Sequence, residues 1–431
     1  MLPPTSARRP RIRPPTPFAV AIALVASVAC VATAAAGAFL ESEMLAHDGL
    51  TRWYDAYVPD GLGETPVPLL VVLHGGTQSN DVMRAGASLE LRTLADRERF
   101  VVAFPNGTSS TDGTSGPSGS FNWNDCRSDA GPAATAADDV GFVAALIDAL
   151  DARLPIDPDR VYVAGASNGG MMAYRLALEL SDRVAAVAAS IANVPANSEC
   201  RDAPLEPVSV LIMNGTADPI MPWAGGQVGG NRGLVVSAEA TRDFWRERLG
   251  TSDPPQHTDF PDLDPTDVGT VSSDRYTGGR GGAEVLFYRV EGGGHVPPSI
   301  AYPAGGAQNR DVEAVDEYWR FLSTHRRTRA SGVQISPDGR QTLVSKDVGG
   351  ERWAIAYETA SGAVTGNVFR AGGGAPAFVA CRRLSAPSAN PLTFSCAGGD
   401  GCAAAPCIPE SWTALGDVAL PASFFAPPDG E

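Results

Sequence analysis

A short run near the middle of the chain constrains the fold more than any other feature. It reads VYVAGASNGGMMAY from Val161 to Tyr174, an apolar strand that breaks at Gly165 and continues as a helix. Ser167 is the centre of Gly-Ala-Ser-Asn-Gly, the G-x-S-x-G turn that joins a strand to a helix. Glycine is needed on both sides of the serine because so sharp a turn leaves no room for a Cβ. The pattern predicts an exposed serine nucleophile; the alternative is a glycine-rich turn with an incidental serine.

A nucleophilic serine needs a histidine base and an acid, and in this type of fold they follow in the order Ser, Asp, His. Asp218 comes just after the apolar strand VSVLIMNG. His295 lies in the glycine-rich loop EGGGHVPPS after the strand VLFYRV. We therefore predict Ser167 as nucleophile, His295 as base and Asp218 as the acid that orients the base.

Two backbone amides are candidates for an oxyanion hole. The amide of Asn168 opens the helix after the serine, where the helix dipole favours negative charge. The buried strand PLLVVL ends in His74-Gly-Gly, and such a strand end faces the active-site crevice of an α/β sheet. We predict Gly76 as the second donor, with Thr77 as the alternative, and a structural role for His74.

The chain from 108 to 137 is a long loop rich in glycine, serine, threonine and alanine, and loops of this length are commonly functional. Within it, Trp123 is predicted either to line the substrate cleft or to anchor the loop. Trp223, close to Asp218, is the second cleft candidate. Asp138 and Asp139 precede a helical pattern and are interpreted as an N-cap and a first-turn charge, not as a metal pair.

Strands and helices alternate from Thr51 to His325, which predicts a mostly parallel sheet with helices on both faces. The acid-rich stretch 258–274 is predicted to be solvated turns rather than a calcium site. After Arg329 short strand patterns replace the alternation and predict a small antiparallel β domain. The predicted organisation is an N-terminal segment (1–36), an α/β catalytic domain (37–329) and a cysteine-containing β domain (330–431).

Four arginines precede an uncharged, alanine-rich run from Phe18 to Leu40 that contains A-x-A cleavage sites. This predicts a secretory signal and an extracellular protein; an uncleaved anchor with the body outside the cytoplasm is the alternative. If the signal is cleaved, no stable membrane association is expected. The formal net charge of −16 excludes nucleic acid as a partner.

Seven cysteines are present, of which Cys30 lies in the N-terminal segment. In an oxidising compartment the other six are expected to form disulfides, with Cys126 and Cys200 as the natural pair. Three connectivities are open for the remaining four, which are Cys381, Cys396, Cys402 and Cys407. The chain contains no C-x-x-C pair and only five scattered histidines, so we expect no metal ion and no cofactor.

Six motifs occur in order: LHGG, WND, DDVGF, GASNGGMMAY, NGTADPIMPW and GGGHVPP. The set resembles the secreted polyhydroxybutyrate depolymerase and feruloyl esterase-like (LpqC-type) branch of the α/β-hydrolases, over roughly residues 45–326. The resemblance implies that Ser167, His295 and Asp218 form the catalytic triad of an esterase. This sequence departs mildly from the family pattern at Ala166, where the family usually carries a larger aliphatic residue.

The resemblance implies a carboxylic ester substrate, either a polyhydroxybutyrate-type polyester, feruloylated or acetylated polysaccharide, or a small ester. A serine peptidase is the alternative within enzymes, because the same triad cleaves amides. A non-catalytic polymer-binding surface protein is the alternative outside them. A polymer-binding role for the C-terminal domain is suggested by analogy with multidomain depolymerases, with a stabilising cap as the alternative. The sequence gives no oligomeric state.

Overall fold

The computed structural model describes residues 37–85, 88–200, 204, 206–302, 304 and 306–327, together with short strands between 332 and 419. The predicted N-terminal signal segment, Cys381, Cys396, Cys402 and Cys407 lie outside the described residues. Within the described part of the chain, no helix is long and apolar enough to cross a membrane.

Twelve strands are described before residue 328. In chain order they are β1 (Ala38–His47), β2 (Leu50–Val58), β3 (Val67–Leu73), β4 (Val101–Pro105), β5 (Ile156–Ala166), β6 (Ala186–Ser190), β7 (Ser209–Gly215), β8 (Gly226–Gln227), β9 (Leu234–Val235), β10 (Gln256–Asp259), β11 (Val271–Tyr276) and β12 (Val285–Val290). The α-helices described there are α1 (Asn80–Ala85), α2 (Ser88–Glu98), α3 (Asp139–Asp151), α4 (Asn168–Glu179), α5 (Ala238–Leu249) and α6 (Ala314–Leu322).

Ten of these strands form one sheet in the order β1-β2-β4-β3-β5-β6-β7-β12-β11-β10. The six central strands, from β4 to β12, are parallel, and the strands at both edges are antiparallel. Every residue of β3 is buried, as expected for a parallel strand covered on both faces. Its side chains alternate between two cores, with Leu69 and Val71 in one and Leu70 and Val72 in the other.

Helices cover both faces of the sheet. Residues of α3, α4 and α5 pack in the core on one face, and residues of α2 and α6 pack in the core on the other. Along α6, Val315, Trp319 and Leu322 follow a helical spacing and all face the second core. The strand order and the helices on both faces are those of the α/β-hydrolase fold, as the sequence predicted.

The structure corrects the predicted turns of residues 258–274 at both ends of the stretch, where strands occur. That stretch contains the end of β10 and most of β11, an antiparallel pair that extends the sheet beyond β12, and residues 260–270 connect the two strands. The residues of β10 are exposed throughout. An exposed edge strand carries no apolar alternation, so its acidic side chains resemble those of a solvated loop.

Short strands are also described beyond residue 331, and the longest are β13 (Gly332–Ile335), β14 (Gln341–Val348) and β15 (Glu351–Glu358). These three pair antiparallel in a sheet separate from the ten-stranded one, together with β16 (Phe369–Ala371). Strands β15 and β16 pair through Trp353 and Arg370, and their antiparallel pairing agrees with the predicted antiparallel β pattern. The hairpin between β14 and β15 was not predicted.

Candidate active site

The strand-to-helix turn at Ser167 is strained. Ser167 has φ 56° and ψ −122° and lies between the end of β5 and the start of α4. A Cβ on Gly165 would collide with the backbone of Gly169, and one on Gly169 would collide with the carbonyls that end β3. The two glycines therefore permit the close approach of helix and strand that exposes the serine.

Asp218 follows β7, and His295 follows β12, so both lie at the same edge of the sheet as Ser167. His295 Nε2 is 2.9 Å from Ser167 Oγ, and His295 Nδ1 is 2.7 Å from Asp218 Oδ2. The structure thus brings the three predicted side chains into one hydrogen-bonded chain, although 128 and 77 residues separate His295 from its two partners.

The Asp218 carboxylate is held firmly. Its side chain is 1% exposed, and its Oδ1 accepts hydrogen bonds from the amides of Ile220 and Met221, both at 2.8 Å. These bonds occupy one carboxylate oxygen and leave the other for His295. A carboxylate fixed in this way orients the imidazole ring so that Nε2 points at the serine.

The two predicted oxyanion donors lie side by side. An added Cβ on Gly76 would be 3.5 Å from Asn168 Cβ. The Asn168 amide is in the first turn of α4, where no earlier carbonyl of the helix can accept it. The Thr77 amide donates to Asn122 Oδ1 at 3.2 Å. Gly76 and Asn168 therefore remain the candidates for this role, and Thr77 is engaged elsewhere.

Buried residues support the Gly76 loop. His74 is fully buried, and the burial lowers the pKa of its imidazole to about 4. A neutral ring fits its contacts, since Nε2 accepts a hydrogen bond from the amide of Gly107. The Trp123 ring packs 4.9 Å from it, centroid to centroid, and the Trp123 indole donates to the His74 carbonyl.

These contacts decide between the two predicted roles of Trp123. It is 1% exposed, so it anchors the long loop, and the prediction that it lines the cleft is corrected because a buried ring offers a substrate no surface. Trp223 is half-buried and donates from its indole to Glu239, while its ring faces Phe287. Its place in the cleft stays a prediction.

A mainly apolar cavity of about 260 Å³ lies behind the turn. Gly165, Ala166 and Val296, which adjoin the serine and the histidine in sequence, are among its lining residues. The carboxyl groups of Glu90 and Glu313 line it as well. The cavity therefore adjoins the backbone that carries the nucleophile and the base.

Cys126 and Cys200 form a disulfide. Glu179 lies close enough to both sulfurs for the three residues to resemble a metal site. Sulfurs bonded to one another are not thiolate ligands, so this cluster is not a metal site.

The predicted N-cap at Asp138 is confirmed, since its carboxylate accepts a hydrogen bond from the amide of Gly141 at the start of α3.

Comparison with known proteins adds the family. The model of the family described as "Esterase PHB depolymerase" matches residues 52–220. NocK of Nocardia uniformis subsp. tsuyamanensis, a protein named as an esterase, is 32% identical over 293 residues, which are 64% of this chain and 80% of NocK. The chain belongs to the PHB depolymerase-type esterase family. It is therefore a carboxylic ester hydrolase.

The chain is also similar to a longer curated protein and to a solved structure. Feruloyl esterase B of Piromyces equi is 30% identical over 246 residues, which are 55% of this chain but only 41% of that protein. Among solved structures, the acetyl xylan esterase from Aspergillus awamori is similar with a TM-score of 0.42 and 14% identity, over 67% of this chain and 99% of that one.

One group of residues beside this site had no role assigned from the sequence, although Asp125 belongs to the WND motif. Asn122, Asp125 and Arg127 lie in the long loop, and all three are buried. Asp125 and Arg127 form an ion pair, Asn122 accepts the amide of Thr77, and Asp125 accepts a hydrogen bond from the Asn168 side chain. The polar residues around Trp123 were the available sequence signal. Their role became clear only from their burial and from hydrogen-bond partners distant in the sequence.

Proposed function

We propose that this protein is a secreted serine esterase that hydrolyses esters through a Ser167-His295-Asp218 triad and an acyl-enzyme. The observation that carries the proposal is the continuous hydrogen-bonded chain from Ser167 Oγ through His295 to Asp218. The substrate class is a polyhydroxybutyrate-type polyester or a feruloylated or acetylated polysaccharide. The names of the family and of its relative feruloyl esterase B support this class.

In the proposed mechanism, His295 Nε2 takes the proton of Ser167 as Oγ attacks the ester carbonyl. The amides of Asn168 and Gly76 stabilise the oxyanion of the tetrahedral intermediate. The imidazolium then gives the proton to the departing alcohol, and an acyl-enzyme remains on Ser167. A water molecule, deprotonated by His295, attacks the acyl carbon, and the imidazolium returns that proton to Ser167 Oγ as the acid departs. No cofactor takes part in any of these steps.

Action outside the cytoplasm is part of the proposal. The basic N-terminus followed by an uncharged run supports export, and the Cys126–Cys200 disulfide is suited to an oxidising compartment. Secretion with cleavage is proposed over an uncleaved anchor. Peptide mapping of the mature N-terminus from the culture medium tests this, and a mature protein that begins at Met1 in the membrane fraction would favour the anchor.

The test of the mechanism is Ser167→Ala, measured on short p-nitrophenyl esters, methyl ferulate, acetylated xylan, polyhydroxybutyrate and, for peptidase activity, casein. We expect the esterase rate to fall by roughly 10⁴- to 10⁶-fold. Ser190→Ala is the matched control, because Ser190 is a buried serine on the neighbouring strand β6. Ester hydrolysis that survives in Ser167→Ala would refute the nucleophile, and faster turnover of casein than of esters would favour the peptidase.

A further inference from the structure

The buried segment Asn122–Arg127 contacts both sides of the proposed oxyanion hole. We propose that Asp125 is a positioning residue for ester hydrolysis, which fixes the start of helix α4 through Asn168 so that the Asn168 amide stays aligned with that of Gly76. The inference rests on the proposed function. It assigns a role to a charge pair that the triad does not use.

On the helix side, the segment uses the whole side-chain amide of Asn168. Asn168 Nδ2 donates to Asp125 Oδ2 at 2.6 Å and to the Trp123 carbonyl at 3.1 Å, and Asn168 Oδ1 accepts the Trp123 amide at 2.8 Å. Three hydrogen bonds leave this side chain no freedom to rotate. Since Asn168 is 5% exposed, water does not compete for these bonds, and the backbone of Asn168 is held with its side chain.

On the strand side, the same segment holds the residues that flank Gly76. Asn122 Oδ1 accepts the Thr77 amide at 3.2 Å, and the Trp123 indole donates to the His74 carbonyl at 3.0 Å. The two donor loops, which belong to β3 and β5, therefore share one support. A shift of this support would change the spacing between the two amides, and an oxyanion hole works only when both donors reach the developing charge.

The charge of Asp125 is neutralised by the adjacent guanidinium of Arg127. Arg127 donates to it with Nε at 2.9 Å and with Nη2 at 2.7 Å, and both side chains are 2% exposed. An unpaired carboxylate bonded to Asn168 would repel the negatively charged intermediate that the oxyanion hole must stabilise. The pair therefore supplies a strong hydrogen-bond acceptor for Asn168 without a net charge.

The far end of the segment is also fixed. Cys126 is bonded to Cys200, its carbonyl accepts the amide of Glu199 at 2.9 Å, and the amide of Asn124 donates to Asp139 at 2.7 Å. Asp125 is thus held by a rigid loop and can impose its position on Asn168. This is what distinguishes a positioning residue from one that merely fills space.

The test uses the full-length, oxidised enzyme and the variants Asp125→Ala and Asn168→Ala, with kcat normalised to active sites titrated by a fluorophosphonate. Removal of a whole oxyanion donor costs about 10²- to 10³-fold, so misalignment is expected to lower kcat by about 10- to 100-fold. KM for a short p-nitrophenyl ester is expected to stay nearly constant. The affinity for phenylboronic acid, whose adduct places an oxygen in the oxyanion hole, is expected to fall in step with kcat/KM.

Asp129→Ala is the matched control, since Asp129 also accepts loop hydrogen bonds, from Asn197 and Leu234, but does not contact Asn168 in the structure. Its kcat should equal that of the wild type. The double variant Asp125→Ala/Asn168→Ala should lose no more than the worse single variant, because both remove the same support. An unchanged kcat in Asp125→Ala, a similar loss in Asp129→Ala, or additive losses in the double variant would overturn the proposal. If Ser167→Ala retained activity, the proposed function itself would fail, whatever the Asp125 variants showed.

Discussion

Asp139 carries its charge where water does not reach it. Its carboxylate is 2.6 Å from Arg52 Nη2, the two side chains are 0% and 1% exposed, and the guanidinium lies over the ring of Phe142. Burial raises the pKa of Asp139, and Arg52 opposes that rise. The pair ties strand β2 to the start of α3, and the other Asp139 oxygen holds the amide of Asn124.

We therefore expect Asp139→Ala to lower the free energy of unfolding by about 3–5 kcal/mol, because it leaves Arg52 buried without a partner. The neighbouring Asp138→Ala should cost only about 1 kcal/mol, the value of an N-cap. Urea denaturation of both variants measures the difference. Equal losses would show that the buried pair adds nothing beyond helix capping.

At the scale of elements, α2 and α6 meet through two carboxyl groups beside the cavity behind the active site. Glu313 Oε2 accepts the amides of Ile300 and Ala301, at 2.9 and 3.1 Å, in the loop that follows His295. Ser299 Oγ lies 3.2 Å from Glu313 and 3.4 Å from Glu90. Burial, with the nearby charge of Glu313 and a hydrogen bond to it, raises the pKa of Glu90 from 4.5 to about 8.

A raised pKa means that the folded protein binds more protons than the unfolded chain between pH 4.5 and about 8. The stabilising contribution of Glu90 is complete below pH 4.5 and is lost as the pH rises through about 8. Glu90→Gln, a permanently neutral analogue, should therefore flatten the fall of Tm with rising pH. Glu98→Gln, at the end of the same helix, is the control. Identical slopes in the two variants would contradict the shift.

Sequence patterns predicted the strands that are buried on both faces and the helices whose apolar residues recur at helical spacing. The Ser167 turn and the central strands both have such local signatures. Strand β10 lacked one, because an exposed edge strand has no apolar face. The burial of Trp123 and the Asp125–Arg127 pair depend on partners distant in the sequence, and no local pattern specifies them.

At the scale of the whole molecule, we propose three parts: residues 1–36, 37–329 and 330–431. For the last part we propose polymer binding, on the analogy already drawn with multidomain depolymerases. Strands β13 to β16 pair in a sheet of their own, with β14 and β15 paired over their whole length.

Deletion of residues 331–431 is expected to leave kcat/KM for a soluble p-nitrophenyl ester unchanged, because the triad lies wholly within residues 167–295. Hydrolysis of an insoluble polyester or polysaccharide should fall, since it depends on adsorption. The rates on both substrates, with Tm measured in parallel, separate the alternatives. Equal losses on both substrates with a lower Tm would favour a stabilising cap.

Ser167 is proposed as the nucleophile of the Ser167-His295-Asp218 chain. The most direct measurement is labelling of the full-length protein with a fluorophosphonate, followed by mass spectrometry of its peptides. We predict a single adduct on the peptide that contains Ser167, none in Ser167→Ala and greatly slowed labelling in His295→Ala. An adduct on another residue, or ester hydrolysis that persists without any labelling of Ser167, would contradict the account.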